Sequence, residues 1–533
     1  MTKPEHRTPD SVWNAWGTAD AASPLSADVR TLVEQGLGIT HRDTRSVDRA
    51  DISLRPCALP AVARGALAEI VGADRVRTDD DTRLLHAGGK STPDLLRRRA
   101  GDVESAPDAI LFPGTHDEVC AVLETCAAQR VAVIPFGGGT SVVGGLEPDG
   151  GGFGSVVALD LRHLDELVEL DTESQTATLQ AGLRGPEAEE LLGAHGYTLG
   201  HFPQSFEHAS IGGFAATRSS GQASAGYGRF DGMVVRLRVA TPRGTLDLGR
   251  APASAAGPDL RQLFLGSEGA FGTITEVTVR VRPKPQEVRS EAWSFPDFGT
   301  GARALRTLAQ EGALPTVARL SDETETMLNL ALAHDVGEDS PSGGCLLVTR
   351  HEGAQPGAHE RAAELLARAG GTSLGPKPAE DWARGRYHGP YLRDALLDVN
   401  ALAETLETAT SWSNLDATYA AVRDALTESL QAQGAPPVIM CHVSHVYSTG
   451  ASLYFTVACA RGEDPVAQWR QAKRAASDAM SASSATITHH HAVGLDHREW
   501  MADEVGELGL EVLRAVKSTV DPSGVLNPGK LIP

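Results

Sequence analysis

A glycine-rich loop decides how the rest of this chain is interpreted. Residues 131–146 have the sequence VAVIPFGGGTSVVGGL. The four apolar residues predict a buried strand that Pro135 ends, and the glycines that follow can take positive φ and approach a ligand closely. Their N–H groups, with the hydroxyls of Thr140 and Ser141, suit the oxygens of a pyrophosphate. No G-x-G-x-x-G motif opens a helix here, and for this loop alone a surface turn remains an alternative.

Length and composition limit the kinds of protein this can be. A chain of 533 residues is too long for one ordinary core, so we expect two or three domains. A net charge of −21 argues against a nucleic-acid partner and against attachment to anionic lipid by charge alone. The six cysteines are scattered without a C-x-x-C pair, which favours a reducing compartment. With no apolar leader and no long apolar run, we expect a cytoplasmic protein.

The segment before the glycine-rich loop predicts a βαβ unit, and therefore a partly parallel sheet. Residues 109–112 form an apolar strand signal that ends at Pro113. Thr115 and Glu118 have the spacing of a capping box, so a helix should begin there. A short helix is also expected at Ala61–Val71.

Two more stretches rich in small residues follow, at 201–228 and 257–283. A long loop of this kind is uncommon without a function. Residues 286–460 alternate strands with alanine-rich helices, which predicts two antiparallel α+β halves. Asp464 and Pro465 then predict a helix start, and a second amphipathic helix is expected at 499–516.

Three such stretches in this order and at this spacing resemble the FAD-binding domain of the vanillyl-alcohol oxidase family. In that family the first loop binds the FAD pyrophosphate, and the other two line the ribityl chain and the flavin ring. The resemblance implies FAD held without a covalent bond, because no histidine or cysteine lies in the first loop. The implied FAD-binding residues are Pro135, Phe136, Gly137, Gly138, Gly139, Thr140, Ser141 and Gly144, then Pro203, Ser205, Ser210, Gly212, Gly213, Ser219 and Gly221, and finally Glu268, Gly269, Gly272, Ile274 and Thr275.

The chain resembles the alkyldihydroxyacetonephosphate synthase branch of that family more closely, and over nearly its whole length. The shared motifs are WNAWG at 13–17, HFPQSFEH at 201–208, ARL at 318–320, LRD at 392–394, LYF at 453–455, HHHAVG at 489–494 and DPSGVLNP at 521–528. The resemblance implies an α+β protein with a two-subdomain FAD-binding domain and a C-terminal α+β substrate, or cap, domain. The expected divisions are an N-terminal arm with helices at 1–100, the FAD-binding domain at 101–285, the cap domain at 286–460 and a helical segment at 461–533 that completes the active site and the FAD domain.

The chemistry implied by this branch has no net redox change. The acyl chain of acyl-dihydroxyacetone phosphate is replaced by a fatty alcohol, through an adduct at flavin N5. The implied catalytic residues are Tyr454, His489, His490, His491 and Arg393, and the implied substrate-binding residues are Arg319, Arg393 and His442. Histidine suits a general base, since its free pKa is about 6.5. The implied partner is a small lipid-like molecule, with a homodimer expected and peripheral membrane contact left open.

Departures from the branch keep other functions open. His442 replaces an arginine and is instead typical of D-lactate and 2-hydroxyglutarate dehydrogenases, which follow it with a Gly-Asp-Gly-Asn motif absent here. Ala492 replaces a glycine. The alternatives are therefore an FAD-dependent oxidase or dehydrogenase of a 2-hydroxy acid (D-lactate, glycolate or 2-hydroxyglutarate type), and a flavin-bearing protein without chemistry of its own. In a strand only His489 and His491 would share a face, so no metal site is expected.

Overall fold

A mostly parallel four-stranded sheet carries the glycine-rich loop. The computed structural model describes residues 2–22, 24–39, 46–332, 344–353 and 357–533. In this first sheet the strands lie in the order Val76–Arg77, Ala109–Leu111, Val156–Asp160 and Ala132–Phe136. The helix His116–Gln129 connects two of the parallel strands, and Thr115 accepts a hydrogen bond from the Glu118 N–H at its start. The predicted βαβ unit and the Thr115 cap are therefore confirmed.

The strand before the loop runs through Pro135 instead of ending there. It is the last strand of its sheet, and the Val133 N–H points outward to the carbonyl of Val525 at 2.8 Å. Because N–H directions alternate along a strand, the nitrogen of Pro135 faces the same outer side. Its missing hydrogen therefore removes no bond within the sheet.

The third glycine-rich stretch, 257–283, includes the middle strand of a second, antiparallel sheet, and the second stretch, 201–228, precedes the strand beside it. The strands of this sheet lie in the order Leu167–Asp171, Thr176–Gln180, Thr273–Arg280, Val234–Thr241 and Gly244–Leu248. A two-stranded pair, Tyr197–Thr198 with Arg282–Pro283, lies outside these five strands. The α-helices of this region are Gly185–Gly193, Ile211–Ala216, Ser224–Tyr227, Phe230–Met233 and Arg261–Phe264.

The two predicted halves of the C-terminal region share one seven-stranded antiparallel sheet. Its order is Thr372–Gly375, Val288–Phe295, Cys345–Glu352, Val317–Ser321, Val438–Val443, Gly450–Ala460 and Ala401–Ser411. The halves meet where Leu320 pairs with Val443 and Ser321 with His442. Helices pack on this sheet around buried residues such as Phe455 and Trp469; they include Phe298–Gln310, Ala358–Arg368, Leu415–Ala432 and Pro465–Ala482.

The α+β class is confirmed, and the domain boundaries stay predictions. The helix at Ala61–Val71 has the expected bounds, and Asp464 caps the helix that follows it. The last helix, Met501–Val520, is interrupted by a non-helical Gly506. The remaining α-helices are Ala27–Leu37, Asp80–Leu85, Thr92–Arg99, Glu323–Leu332, Lys377–Gly385 and Gly389–Asp398. Within the described ranges, no helix has both the length and the apolarity needed to cross a bilayer.

Candidate active site

The three glycine-rich stretches meet at the end of the strand Ala132–Phe136. A Cβ added to Gly137 would lie 2.3 Å from the Oγ of Ser210 in the second stretch. A Cβ added to Gly269 in the third stretch would lie 2.7 Å from the Cγ of Pro135. Such approaches are open only to glycine, and they bring all three stretches to one place.

The first loop offers hydrogen-bond donors that the protein itself does not use. Over the ranges that the structure describes, the N–H groups of Gly138, Gly139, Thr140 and Ser141 donate to no protein acceptor. Gly139 has φ 71°, and the Lys90 N–H donates to the Ser141 carbonyl at 2.7 Å, which fixes the loop from behind. Unpaired donors in a partly buried loop fit an anionic group, so these residues suit the pyrophosphate of FAD.

Not every predicted FAD-binding residue faces the loop. A Cβ on Gly212 would lie 2.7 Å from that of Ala181, and one on Gly272 would lie 2.5 Å from Val239 Cγ1. The Thr275 hydroxyl donates to the Arg238 carbonyl at 3.2 Å. These three residues pack the second sheet, which explains their residue types without a ligand.

Gly138→Ala is expected to lower FAD affinity by about tenfold or more. The new Cβ would lie 2.2 Å from the His208 carbonyl oxygen and 2.7 Å from the Ala209 Cα, both backbone atoms, so the loop must move. Overpacking of this kind costs roughly 1–3 kcal/mol, and 1.4 kcal/mol is a factor of ten in affinity. The measurement is FAD per chain after purification, followed by titration with added FAD.

Gly154→Ala is the matched control, because its Cβ would meet nothing within 4 Å. It should keep the FAD content of the wild type. Equal FAD affinity in the two variants would contradict the assignment of the first loop to the pyrophosphate.

The third stretch is attached directly to the segment that follows the triple histidine. The buried carboxylate of Glu268 accepts hydrogen bonds from the N–H groups of Val493 and Gly494, each at 3.0 Å. Burial raises the pKa of Glu268 to about 7. The Asn527 amide donates to the carbonyl oxygens of Gly145 and Glu268, at 3.2 and 2.6 Å, and so ties the first stretch to the third. The triple histidine therefore ends two residues before Val493, which contacts the third glycine-rich stretch.

The triple histidine is a bend around one carboxylate, and not a strand in which only His489 and His491 would share a face. Glu407 accepts hydrogen bonds from the N–H groups of His489, His490 and His491, at 2.7, 3.1 and 2.9 Å. Successive N–H groups of a strand point to opposite sides, whereas here all three point to one acceptor. Burial by itself would raise the pKa of Glu407, but the adjacent imidazoles hold it well below its usual value.

Aromatic rings connect the triple histidine to the seven-stranded sheet. The Tyr454 ring stacks on that of His442, with centroids 4.7 Å apart, and its centroid lies 6.0 Å from that of His490 and 5.5 Å from that of His491. Tyr454 pairs in register with Glu407 on the neighbouring strand. The structure thus brings the predicted residues Tyr454, His442 and the triple histidine together.

Several residues of this cluster were missed by sequence reasoning. The ring of His445 lies against those of His489 and His490, with both centroid distances 4.9 Å. The hydroxyl of Tyr447 lies 2.6 Å from His489 Nε2. Both belong to the segment CHVSHVY at 441–447, so their closeness in sequence to the predicted site residue His442 could have identified them. Glu407 has no such signal.

Burial keeps these histidines neutral. It lowers the pKa of His442, His490, His445 and His489, the last two well below the usual value, and that of His491 to about 3. Burial disfavours the protonated imidazoles and outweighs the adjacent Glu407 carboxylate, which by itself would raise the pKa of His489, His490 and His491. Neutral rings with free lone pairs can accept protons.

Arg319 belongs to the same cluster. It forms an ion pair with Glu325, and both partners reach His442 Nδ1: Arg319 Nη2 lies 3.0 Å from it and Glu325 Oε2 lies 3.1 Å from it, so Nδ1 accepts from Arg319 in one tautomer and donates to Glu325 in the other. Both contacts use Nη2 of Arg319. Within the described residues its Nε and Nη1 donate to no protein acceptor, which leaves them for a substrate anion.

Arg393 has different neighbours. Its guanidinium donates to Asp394 at 3.0 Å and to the Lys90 carbonyl at 2.5 Å, and the other Asp394 oxygen accepts from the Trp16 N–H. The motifs WNAWG at 13–17 and LRD at 392–394 therefore contact each other. Where the structure describes the chain, Arg393 makes no hydrogen bond to the histidines.

Comparisons with known proteins give the same kind of enzyme. Residues 107–248 match the family described as FAD binding domain, and residues 284–531 match FAD linked oxidases, C-terminal domain. An alkyldihydroxyacetonephosphate synthase of Trypanosoma brucei brucei is 34% identical over 492 residues, which cover 88% of this chain and 80% of that protein. A solved alkyldihydroxyacetonephosphate synthase is 30% identical with a TM-score of 0.85, covering 98% of this chain and 99% of the other. A mitochondrial D-lactate dehydrogenase [cytochrome] of Arabidopsis thaliana is 28% identical over 473 residues, covering 86% and 78%.

Proposed function

The chain belongs to the alkyldihydroxyacetonephosphate synthase family of FAD-linked enzymes, and from that membership we propose that it exchanges the acyl chain of acyl-dihydroxyacetone phosphate for a fatty alcohol. One observation carries the proposal. The backbone of the neutral triple histidine is held by Glu407, opposite Tyr454, and Val493, two residues farther on, is held by Glu268 in the third glycine-rich stretch. A base, a proton-handling hydroxyl and a cofactor cradle therefore lie in one place.

Each group has a task in this exchange. Bound FAD would supply an electron sink for chemistry at the substrate carbon that loses its proton. That proton, from C1 of the dihydroxyacetone unit, passes to a ring nitrogen of His490 or His491, which burial keeps neutral. The Tyr454 hydroxyl handles protons of the leaving fatty acid and the entering alcohol. The free nitrogens of Arg319 bind the substrate phosphate.

The alternative is the oxidation of a 2-hydroxy acid. One observation supports this alternative: a histidine at position 442 is typical of those dehydrogenases. The geometry favours another role, because Nδ1 of His442 is already occupied by Glu325 and Arg319. We therefore propose that His442 orients Tyr454, because the two rings stack on each other.

An anaerobic titration of the flavin separates the two functions. D-Lactate, glycolate and 2-hydroxyglutarate should leave the flavin absorbance unchanged, because the proposed reaction removes no electrons from the substrate. Bleaching by any of the three, with turnover on an artificial electron acceptor, would favour the dehydrogenase. If neither these acids nor acyl-dihydroxyacetone phosphate reacts, the result would favour a protein that binds flavin without catalysing a reaction.

A further inference from the structure

Three imidazoles converge at the bend of the triple histidine. His445, His489 and His490 each offer one ring nitrogen, and these atoms all lie within 4.8 Å of one another. The Nδ1 atoms of His489 and His490 are 3.0 Å apart. Nitrogen ligands of tetrahedral zinc, with bonds of about 2.0–2.1 Å, are separated by roughly 3.3 Å. We propose that these three residues form a binding site for a divalent ion of the zinc class.

The outer partners of the rings suit such a site. His445 Nδ1 lies 2.6 Å from the Ser224 hydroxyl and 3.0 Å from that of Ser220, so we assign Nε2 of His445 as the nitrogen that binds the ion. His489 Nε2 lies 2.6 Å from the Tyr447 hydroxyl, which leaves Nδ1 of His489. Metal-binding histidines nearly always have their second nitrogen held in this way.

The three imidazoles can bind an ion as neutral rings, without releasing a proton. A hydroxyl both donates and accepts, so the proton of His489 can lie on Nε2, toward Tyr447, and leave the Nδ1 lone pair free. Likewise a serine hydroxyl can accept from Nδ1 of His445. With the His490 proton on Nε2, each bond to the ion is formed by a neutral imidazole lone pair.

The donor set decides which ions fit. Three imidazole nitrogens suit zinc, cobalt, nickel and copper, whereas magnesium and calcium prefer oxygen ligands. Three protein ligands leave a fourth position open to water or a substrate oxygen. A bound ion uses the lone pair of His490, so where His490 is the proton acceptor, zinc should inhibit turnover and a chelator should restore it. This last consequence rests on the proposed function, whereas the binding of the ion does not.

The test uses tag-free protein that contains FAD and has been treated with a chelator and then freed of it. We expect one zinc ion per chain by calorimetric titration, and visible ligand-field bands on titration with cobalt. His445→Asn should abolish binding, and Tyr447→Phe should weaken it about 10–100-fold, as expected for an outer partner of a ligand. FAD content and thermal midpoint report whether each variant is folded.

A second group, Glu5, His6 and Glu190, provides the control, because it is exposed and mostly acidic. His6→Ala should bind zinc like the wild type. The proposal is overturned if wild-type protein binds no zinc, if folded His445→Asn and Tyr447→Phe bind it equally well, or if His6→Ala loses it. Binding without inhibition would support the metal site and contradict the role of His490 as the proton acceptor.

Discussion

Replacing His490 or His491 with alanine is expected to lower the rate of alcohol exchange by about a hundredfold or more, the usual effect of losing a general base. Both rings are neutral because of burial, and both lie against Tyr454. FAD content should stay near that of the wild type, since the backbone N–H groups that Glu268 and Glu407 hold remain in both variants. The measurement is the steady-state rate with labelled fatty alcohol, normalised to bound FAD.

His195→Ala is the control for a histidine outside the cluster, because His195 is exposed. It should retain the wild-type rate. If both cluster variants retain near wild-type rates with full FAD, the base is not in the triple histidine. If only one loses activity, the proton acceptor is assigned to that residue.

Replacing Glu407 should have an effect of similar size on the rate and a larger one on stability. In Glu407→Ala, the N–H groups of His489, His490 and His491 lose their shared acceptor. Each buried donor left unpaired costs about 1–3 kcal/mol, so unfolding should become easier by about 3 kcal/mol or more. The rate of exchange should fall by about a hundredfold, because the bend that aligns the rings is lost. Urea unfolding and the exchange rate are the two measurements.

Glu404 offers a matched control on the same strand. It is equally buried, and its carboxylate accepts from the N–H groups of Thr92 and Thr405, not from the histidines. Glu404→Gln and Glu407→Gln should both lose stability, but only Glu407→Gln should lose most of its activity per bound FAD. Equal residual activity in the two glutamine variants would show that Glu407 does not position the triple histidine.

Local sequence patterns predicted the parts of the fold that depend on neighbouring residues. The Thr115 cap, the βαβ unit and the helix at Ala61–Val71 follow from spacing over a few residues, and the structure confirms them. The position of Pro135 inside a strand could not be predicted in this way. It depends on that strand being last in its sheet, which is a property of the assembled fold.

In the candidate site, too, the sequence predicted what short motifs carry and missed what depends on contacts between distant residues. The triple histidine and Tyr454 were found through family-like motifs, but the bend that unites them depends on Glu407, 82 residues from its partner His489. No local pattern marks a carboxylate that will accept three distant N–H groups. In a strand His489 and His490 would face opposite sides, and that argument does not apply to a bend, where their Nδ1 atoms lie 3.0 Å apart. The contacts of Arg393 with Asp394 and the Lys90 carbonyl were equally hidden.

One departure from the family has a physical cost that the structure makes visible. Ala492 replaces a glycine and has φ 74°, a conformation that favours glycine. A left-handed residue with a side chain costs about 1 kcal/mol or more. The bend is retained because the hydrogen bonds of Glu268 and Glu407 hold the residues on both sides of Ala492.

The central claim, a redox-neutral exchange at the triple histidine, is tested most directly by product stoichiometry under anaerobic conditions. Purified protein that contains FAD is incubated with acyl-dihydroxyacetone phosphate and labelled long-chain alcohol, without an electron acceptor. We predict one fatty acid released for each labelled alcohol incorporated, over many turnovers, with no net reduction of the flavin. Turnover that stops after one equivalent and resumes only when an electron acceptor is added would contradict the claim.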